Sequence, residues 1–147
     1  MGLIIFVNYL ITLYNGLYGV DNMESKNKVI DYVTQAKACE IIGISKKSTP
    51  LINRWINQGK IKGAYKFSNN MAIPVSWVKS ECNERSIHWE GIKLEDGEVG
   101  VSLKDYEPIV EYARRKDLNY STFHSTFKRG TFEGDWIKFG NSYGIRK

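Results

Sequence analysis

The feature that constrains the fold most is a pattern of two short helices and a hairpin that occurs twice along the chain. The stretch WINQG at 55–59 matches TFKRG at 126–130 in position, and each stretch ends in a glycine. In both places another glycine follows four residues later, before two short apolar runs around a turn that contains Asn. This self-similarity predicts two copies of one supersecondary unit in tandem.

The first copy begins with two predicted helices. Thr34 is a suitable cap for a helix over 35–42, which has apolar residues for an inner face. A second helix over about 50–58 begins with Pro50, a residue favoured at the first helical position, and ends at Gly59. Its apolar residues follow the i, i+3, i+4 pattern, so its polar residues are expected on the outer face.

A hairpin is predicted after these helices. Two short strands, within 60–67 and 71–74, flank a turn at 68–70, and a third helix is expected to start at Pro74.

The second copy is predicted to contain helices over 106–116 and 122–129, the latter capped by Ser121, and a hairpin over 136–145. The acidic segment between the copies is expected to be a linker or a small hairpin. The chain then divides into an apolar extension at 1–23, a first unit at 24–82, the acidic segment at 83–102 and a degenerate second unit at 103–147.

The charge distribution is uneven. The net charge is +5, with +6 over residues 24–82, −5 over residues 83–111 and +5 over residues 112–147. Basic blocks inside folded units are typical of proteins that bind polyanions, most often nucleic acid. A solvated surface without a partner gives the same pattern, so charge alone leaves both interpretations open.

The cysteines and the missing motifs exclude several classes of protein. Cys39 and Cys82 are too few for a disulfide scaffold, and neither has a partner at zinc-ligand spacing. We expect two reduced thiols in a cytoplasmic protein. The sequence also lacks HExxH, GxSxG and a Gly-rich phosphate loop, so it predicts neither an enzyme nor a cofactor or metal site.

The first twenty residues contain no charged side chain. A signal peptide needs a positive start, and a membrane helix needs about twenty apolar residues, whereas polar residues interrupt this run. Our interpretation is that residues 1–22 are an over-extended reading frame and that Met23 is the ordinary start. The alternatives are a membrane anchor and an additional packed strand or helix.

Four stretches of the first copy form an ordered set: YVTQAKACEIIGIS, LINRWINQGKIKG, AYKFSNNMAIP and VSWVKS. The set includes Gly-aliphatic-Ser at 43–45 and an Ile-Pro pair followed by Trp77. Through these stretches, residues 32–79 resemble the excisionase-like, MerR-type winged helix-turn-helix domain, and residues 103–147 resemble it more weakly. The resemblance implies a mainly α fold with small β-hairpin wings, arranged as a tandem winged helix-turn-helix.

The resemblance also implies a function. It predicts a DNA-binding protein of a mobile element such as a phage, a plasmid or an island, acting as a transcriptional regulator or an excisionase-like architectural factor. Its partner would be DNA, duplex rather than single-stranded, with a homodimer or another protein partner as further options. Neither a small-molecule substrate nor a membrane is expected.

Two other functions stay open at this point. A replication accessory protein would stack single-stranded DNA on exposed aromatic side chains such as Tyr65, Phe67, Trp136 or Tyr143. A protein–protein adaptor would use the same fold to dock a partner, because fold does not determine function.

If the second helix of each copy enters the major groove, its outer side chains approach base edges, where Asn suits adenine and Arg suits guanine. Nearby lysines would contact phosphates. For the first copy this predicts DNA contacts by Lys46, Lys47, Ser48, Thr49, Asn53, Arg54, Asn57, Lys60, Lys62 and Lys66, with Asn69 and Asn70 at the wing tip. For the second copy it predicts contacts by Ser121, Thr122, His124, Ser125, Lys128 and Arg129, with Lys138, Asn141 and Arg146 from the wing.

Some of these residues have simpler interpretations. His124 would serve equally well as an ordinary surface histidine, and the lysines at 60–62 as the solvated edge of a hairpin. Trp55, Phe123 and Phe127 follow helical spacing and are expected in the core rather than against bases.

Overall fold

A mixed α/β architecture is formed by residues 25–147, the part of the chain that the computed structural model describes. These residues form five α-helices and eight strands, so the expectation of a mainly α fold with hairpin wings is wrong. In chain order the elements are β1 Asn27–Val29, β2 Tyr32–Thr34, α1 Gln35–Ile41, α2 Thr49–Asn57, β3 Tyr65–Phe67, β4 Asn70–Pro74, α3 Val75–Glu84, β5 Val99–Val101, β6 Tyr106–Pro108, α4 Ile109–Arg115, α5 Tyr120–Lys128, β7 Trp136–Phe139 and β8 Ser142–Arg146.

Four strands account for the error in fold class. β1, β2, β5 and β6 have three residues each, too few to show an alternating pattern, and their partners lie far along the chain. Residues 106–108, predicted as the start of a helix, form β6 instead. Pro108 favours an extended Glu107, and the helix begins only after it.

The strands form two sheets. The first has the order β2-β4-β3 and is antiparallel, with Thr34 opposite Ala72 and Phe67 opposite Asn70. The second has the order β5-β1-β7-β8-β6, in which β1 runs parallel to both β5 and β7. Its β7-β8-β6 part repeats the connectivity of the first sheet. The internal repeat predicted from the glycine spacing is therefore present in the strand pairing.

Capping residues determine the helix ends as local rules require. The Thr34 side chain accepts a hydrogen bond from the Lys37 N–H, which confirms the predicted cap of α1. In the second copy the Asn119 side chain, not that of Ser121, accepts from the Thr122 N–H, so α5 begins at Tyr120. The predicted cap by Ser121 is thus wrong by two positions.

The helices lie on the outer faces of the sheets. Val33 and Ile73 of the first sheet pack against Ile52 of α2 and against the buried thiols of Cys39 and Cys82. Burial raises the pKa of both thiols. In the second sheet, Ile145 packs against Ile109 of α4 and Phe127 of α5. The molecule is layered as helices, sheet, sheet, helices.

A shared core fills the space between the two sheets. The rings of Phe67 and Phe139 meet edge to face, with centroids 5.7 Å apart. Around them lie buried residues from both sheets and from the segments before them: Val29, Ala72, Leu103, Tyr106 and Ile137. Because both sheets contribute to this core, neither hairpin projects as a separate wing, and the predicted tandem winged arrangement is wrong in this respect.

The acidic segment at 83–102, predicted as a linker or a small hairpin, contains part of a regular element near each end. It begins with the end of α3 and finishes with β5, which pairs with β1 from Asn27–Val99 to Val29–Val101. The Lys28 ammonium donates to the Lys93 carbonyl at 2.9 Å, which ties the irregular part of the segment to β1.

No helix within residues 25–147 is both long enough and apolar enough to cross a membrane. The interpretation of residues 1–22 as an over-extended reading frame falls outside the described residues.

Phe67→Ala is expected to lower the free energy of unfolding by about 3–5 kcal/mol, because it opens a cavity in the shared core. Hydrogen exchange should accelerate in peptides from β7 and β8 as well as from β3 and β4. Urea unfolding and exchange mass spectrometry measure the two effects. Lys66→Ala, an exposed neighbour on the same strand, is the control and should change stability by less than about 0.5 kcal/mol. Unchanged protection of β7 and β8 would show that the sheets unfold independently.

Tyr65 generates a prediction about pH. Its hydroxyl is buried without a hydrogen-bond partner among residues 25–147, and burial, with a smaller contribution from Tyr32, raises its pKa. The stability that depends on the protonated phenol is therefore present below the ordinary tyrosine pKa of 10.0 and is lost as pH rises above it. Tyr65→Phe should leave stability at pH 7 unchanged or raise it by up to about 1 kcal/mol.

The same variant should lose less stability than the parent chain between neutral and strongly alkaline pH, as measured by urea unfolding across the pH range. Tyr120→Phe, at a 44% exposed position, is the control and should follow the parent chain. Equal alkaline sensitivity in the parent chain and in Tyr65→Phe would contradict the prediction.

Candidate nucleic-acid interface

A long stretch of the first copy carries positive charge alone. Residues 41–80 contain seven Lys or Arg residues and no Asp or Glu, and all seven are exposed. Among residues 25–147, only Lys46 of these seven takes part in an ion pair, at 3.9 Å from Glu40. The others keep their charge available to a partner in solution.

Helix α2 divides this stretch into a buried and an exposed face. Ile52 is completely buried, while Asn53, Arg54 and Asn57 are exposed. Trp55 packs on the first core beside Trp77, with ring centroids 6.0 Å apart, as the helical spacing predicts. The structure thus brings the predicted base-reading side chains of the first copy together on the outer face of one nine-residue helix.

The lysines flank this face at both ends of α2. Lys46 and Lys47 lie in a short 3-10 turn that leads into the helix, and Lys60 and Lys62 follow its last turn. Ser48 and Thr49 at the helix start are half-buried, and the Ser48 side chain makes no capping bond. We define the α2 surface as Lys46, Lys47, Asn53, Arg54, Asn57, Lys60 and Lys62.

Gln35, a residue that the sequence did not indicate, contacts this surface from α1. Its side-chain amide donates a hydrogen bond to the Asn53 side-chain oxygen. This bond from α1 restrains the orientation of the Asn53 amide group. The two residues are 18 positions apart, and no periodic pattern connects them. Only the packing of α1 against α2 brings them together.

The two asparagines predicted at the tip of the first wing lie in different environments. Asn69 is exposed, but Asn70 is half-buried against the second hairpin. Its side-chain nitrogen lies 3.2 Å from the Phe139 carbonyl oxygen, 2.9 Å from Oδ1 of Asn141 and 2.8 Å from Oγ of Ser142. Asn70 therefore joins the two hairpins instead of standing free at a wing tip, and Asn141 is one of its partners.

The outer face of α5 in the second copy makes more contacts within the molecule than the outer face of α2 does. His124 is half-buried, with ring centroids 5.6 Å from Tyr120 and 5.3 Å from Tyr143. The Ser125 hydroxyl donates to the Ser121 carbonyl at 2.9 Å. Ser121, Thr122, Lys128 and Arg129 remain exposed, while Phe123 and Phe127 lie in an aromatic core, as expected from their spacing.

The basic residues of the second hairpin are also engaged. Lys138 lies over the Tyr143 ring at 5.9 Å, and the Arg146 guanidinium pairs with Asp135 at 3.3 Å. The hydrogen bond from Arg146 to Asp135 raises the arginine pKa. Asp135 also accepts a hydrogen bond from the Tyr106 hydroxyl at 3.0 Å, so this carboxylate holds three elements together. Lys66 of the first hairpin, in contrast, is exposed and makes no ion pair within residues 25–147.

In the described part of the chain, no group of three or more His, Cys, Asp or Glu side chains is placed to bind a metal ion. A cleft of about 440 Å³ beside the loop at 87–93 has both apolar and charged lining residues, among them Val33, Ile41, Trp89, Lys37 and Glu90. Neither Arg54 nor the lysines of the α2 surface line this cleft.

Comparison of the chain with models of protein families, with curated proteins and with solved structures found no match.

Asn70 and its neighbour Asn69 provide a matched pair of variants. Asn70→Ala is expected to lower the free energy of unfolding by about 1–3 kcal/mol, because it leaves acceptors of the second hairpin unpaired. Asn69→Ala, at an exposed position, should change stability by less than about 0.5 kcal/mol. Urea unfolding distinguishes the two. Equal stabilities would indicate that Asn70 does not hold the hairpins together.

Proposed function

We propose that this protein binds duplex DNA through the α2 surface. The observation that carries the proposal is an exposed helix face with two asparagines and one arginine, set in forty residues that contain no carboxylate. A purely solvated protein surface normally mixes both signs of charge. The side chains of the α2 surface are amide and positive groups, with the Glu40 carboxylate beside Lys46 at its edge, and such a surface is complementary to phosphates and base edges.

The side chains of α2 suit readout in the major groove. Asn53 and Asn57 each offer an amide that can pair bidentately with adenine, and Arg54 can pair with guanine N7 and O6. The hydrogen bond from Gln35 restrains Asn53, which reduces the side-chain entropy lost on binding. The lysines of the α2 surface would neutralise phosphates on both sides of the groove. These are Lys46, Lys47, Lys60 and Lys62.

The second copy is proposed to contribute phosphate contacts more than base readout. Lys128 and Arg129 are exposed at the end of α5, whereas His124 and Ser125 are held by internal contacts. Ser121 and Thr122 at the helix start add hydroxyl donors for phosphate oxygens.

The proposed biological role follows the resemblance of residues 32–79. We place the protein in the cytoplasm, in keeping with its two free, buried thiols, as a transcriptional regulator or DNA-architecture factor of a mobile element. The class of element and the direction of regulation stay predictions of the resemblance.

Single-stranded binding receives less support from the aromatic residues named for it. Phe67 is only 1% exposed in the shared core, and the hydroxyl of Tyr65 is buried. Trp136 and Tyr143 pack in the aromatic core of the second copy, with ring centroids 5.9 Å apart. We therefore do not propose binding to a single strand or to a protein alone, and the experiment below distinguishes both from duplex binding.

The proposal is tested by the salt dependence of binding to labelled duplex and single-stranded DNA, followed by fluorescence anisotropy. The logarithm of the duplex binding constant should fall linearly with the logarithm of salt concentration, by about 0.9 per phosphate contact. Equal or tighter binding to the single strand would favour the replication role, and absence of binding to either would reject the proposal.

Three variants separate base readout from phosphate contact. Arg54→Ala should cost about 1–3 kcal/mol on the preferred duplex and relax the preference at one base pair. Lys60→Ala should weaken all duplexes alike and reduce the salt slope by about 1. Lys79→Ala removes the same charge from α3, at about 200° around that helix from Trp77, which faces α2, and should leave binding unchanged. Identical effects of Arg54→Ala and Lys60→Ala would show that Arg54 contacts only the backbone.

A further inference from the structure

The segment that follows α3 packs on the first core through alternate side chains. Ile87, Trp89 and Ile92 are half-buried against that core, whereas His88 and Glu90 between them are exposed. The cleft of about 440 Å³ is bounded by this segment, by α1 and by the first two strands. We call it the loop cleft.

One part of the loop cleft is apolar. Val29 of β1 and Val33 of β2 are buried in its lining, and Ile41 of α1, Trp89 and Ile92 are half-buried there. Small-molecule sites combine such a lining with a few charged groups, and volumes of about 300–1,000 Å³ are usual for them. An indole among aliphatic side chains is suited to the flat apolar surface of an aromatic ring.

The other part of the loop cleft is positively charged, because three lysines line it against one carboxylate. Lys93 pairs with that carboxylate, on Glu90, at 2.9 Å. Lys37 lies 3.7 Å from Glu40, and both side chains are about half exposed, which makes this pair weak. The Lys28 ammonium donates to the Lys93 carbonyl and pairs with no carboxylate in the described part of the chain. Even with Glu40 counted, positive charge is in excess beside the apolar lining.

The polar groups of the lining favour one class of ligand. Within residues 25–147 the lining has lysines, Glu90 and His88, but no hydroxyl or amide side chain. The polar edges of a nucleobase or a sugar need such donors and acceptors, and polar groups left unpaired on binding are costly. A hydrocarbon ring has no such edge, and one anionic group on the ring has lysines to pair with.

We infer that the loop cleft binds a small aromatic carboxylate, with its ring against the apolar side chains and its carboxylate paired with the lysines. None of the residues of the α2 surface lines the loop cleft. The inference therefore goes beyond the proposed function and does not rest on it.

Two matched fluorescent probes and one competitor test the inference on the full chain. Anilinonaphthalene sulfonate and phenylnaphthylamine share the same rings, and only the first has an anionic group. Lys37→Glu should weaken binding of the sulfonate probe by about tenfold and leave that of the neutral probe unchanged. Naphthoate should displace the sulfonate probe from the parent chain, and about tenfold less effectively from Lys37→Glu.

A matched variant controls for the change of charge. Lys26→Glu reverses the charge of a lysine that is also exposed but does not line the loop cleft, and it should alter neither titration. Lys37→Glu places a carboxylate three residues after the Thr34 cap, a combination that favours a helix N-terminus, so this variant is expected to fold.

The indole N–H signals in heteronuclear NMR spectra locate the ligand without any change to the lining. Naphthoate should shift the Trp89 signal and leave the signal of Trp136, which lies in the aromatic core of the second copy, in place. Variants that replace each tryptophan by phenylalanine assign the signals.

Three results would each overturn the inference: no binding of naphthoate, a Trp89 signal that does not shift, or equal effects of Lys37→Glu and Lys26→Glu. Weakening of the neutral probe as much as of the sulfonate probe in Lys37→Glu would overturn it as well, because charge would not be the cause. No measurement in this set uses DNA, so failure here is distinct from failure of the proposed function.

Discussion

The packing of one hairpin against the other is the interaction on which the rest of the structure depends. Each sheet is covered by helices on one side, and its other face is apolar, through Phe67 and Ala72 in the first sheet and Phe139 in the second. Exposure of either face to water would be costly, and joining the two faces removes both from solvent at once. The same packing directs all helices outward, so the surfaces left for a partner are helix faces.

Local signals predicted much of each copy, because helix caps, helix ends and hairpin turns are determined by residues only a few positions apart. The cap by Thr34, the end of α2 just before Gly59 and the two hairpins are all determined by residues close to the feature. The short strands are different, because Tyr32 has its partner at Pro74 and Asn27 has a partner at Ile137. Three-residue segments have no periodicity of their own, and the assignment of a mainly α fold failed on them.

The candidate site shows the same division. The periodicity of α2 correctly separated buried Ile52 from exposed Asn53 and Arg54, because amphipathicity reports directly on which side packs. The same reasoning failed for Asn70, because an asparagine in a hairpin turn looks identical in sequence whether the turn meets solvent or another hairpin. The contacts of Asn70 join residues about seventy positions apart in two different copies, so no pattern within one copy indicates them.

The place of β1 has a consequence for how the chain acquires its structure during synthesis. This strand is made at the start of the first copy, yet it lies between β5 and β7 in the second sheet. Its last neighbour, β7, is synthesised about a hundred residues later. Pairing over such a separation is slow because the intervening chain must close into a loop before any contact is gained. Until then the inner face of the first sheet is uncovered, and apolar surface exposed in this way during synthesis is prone to aggregation.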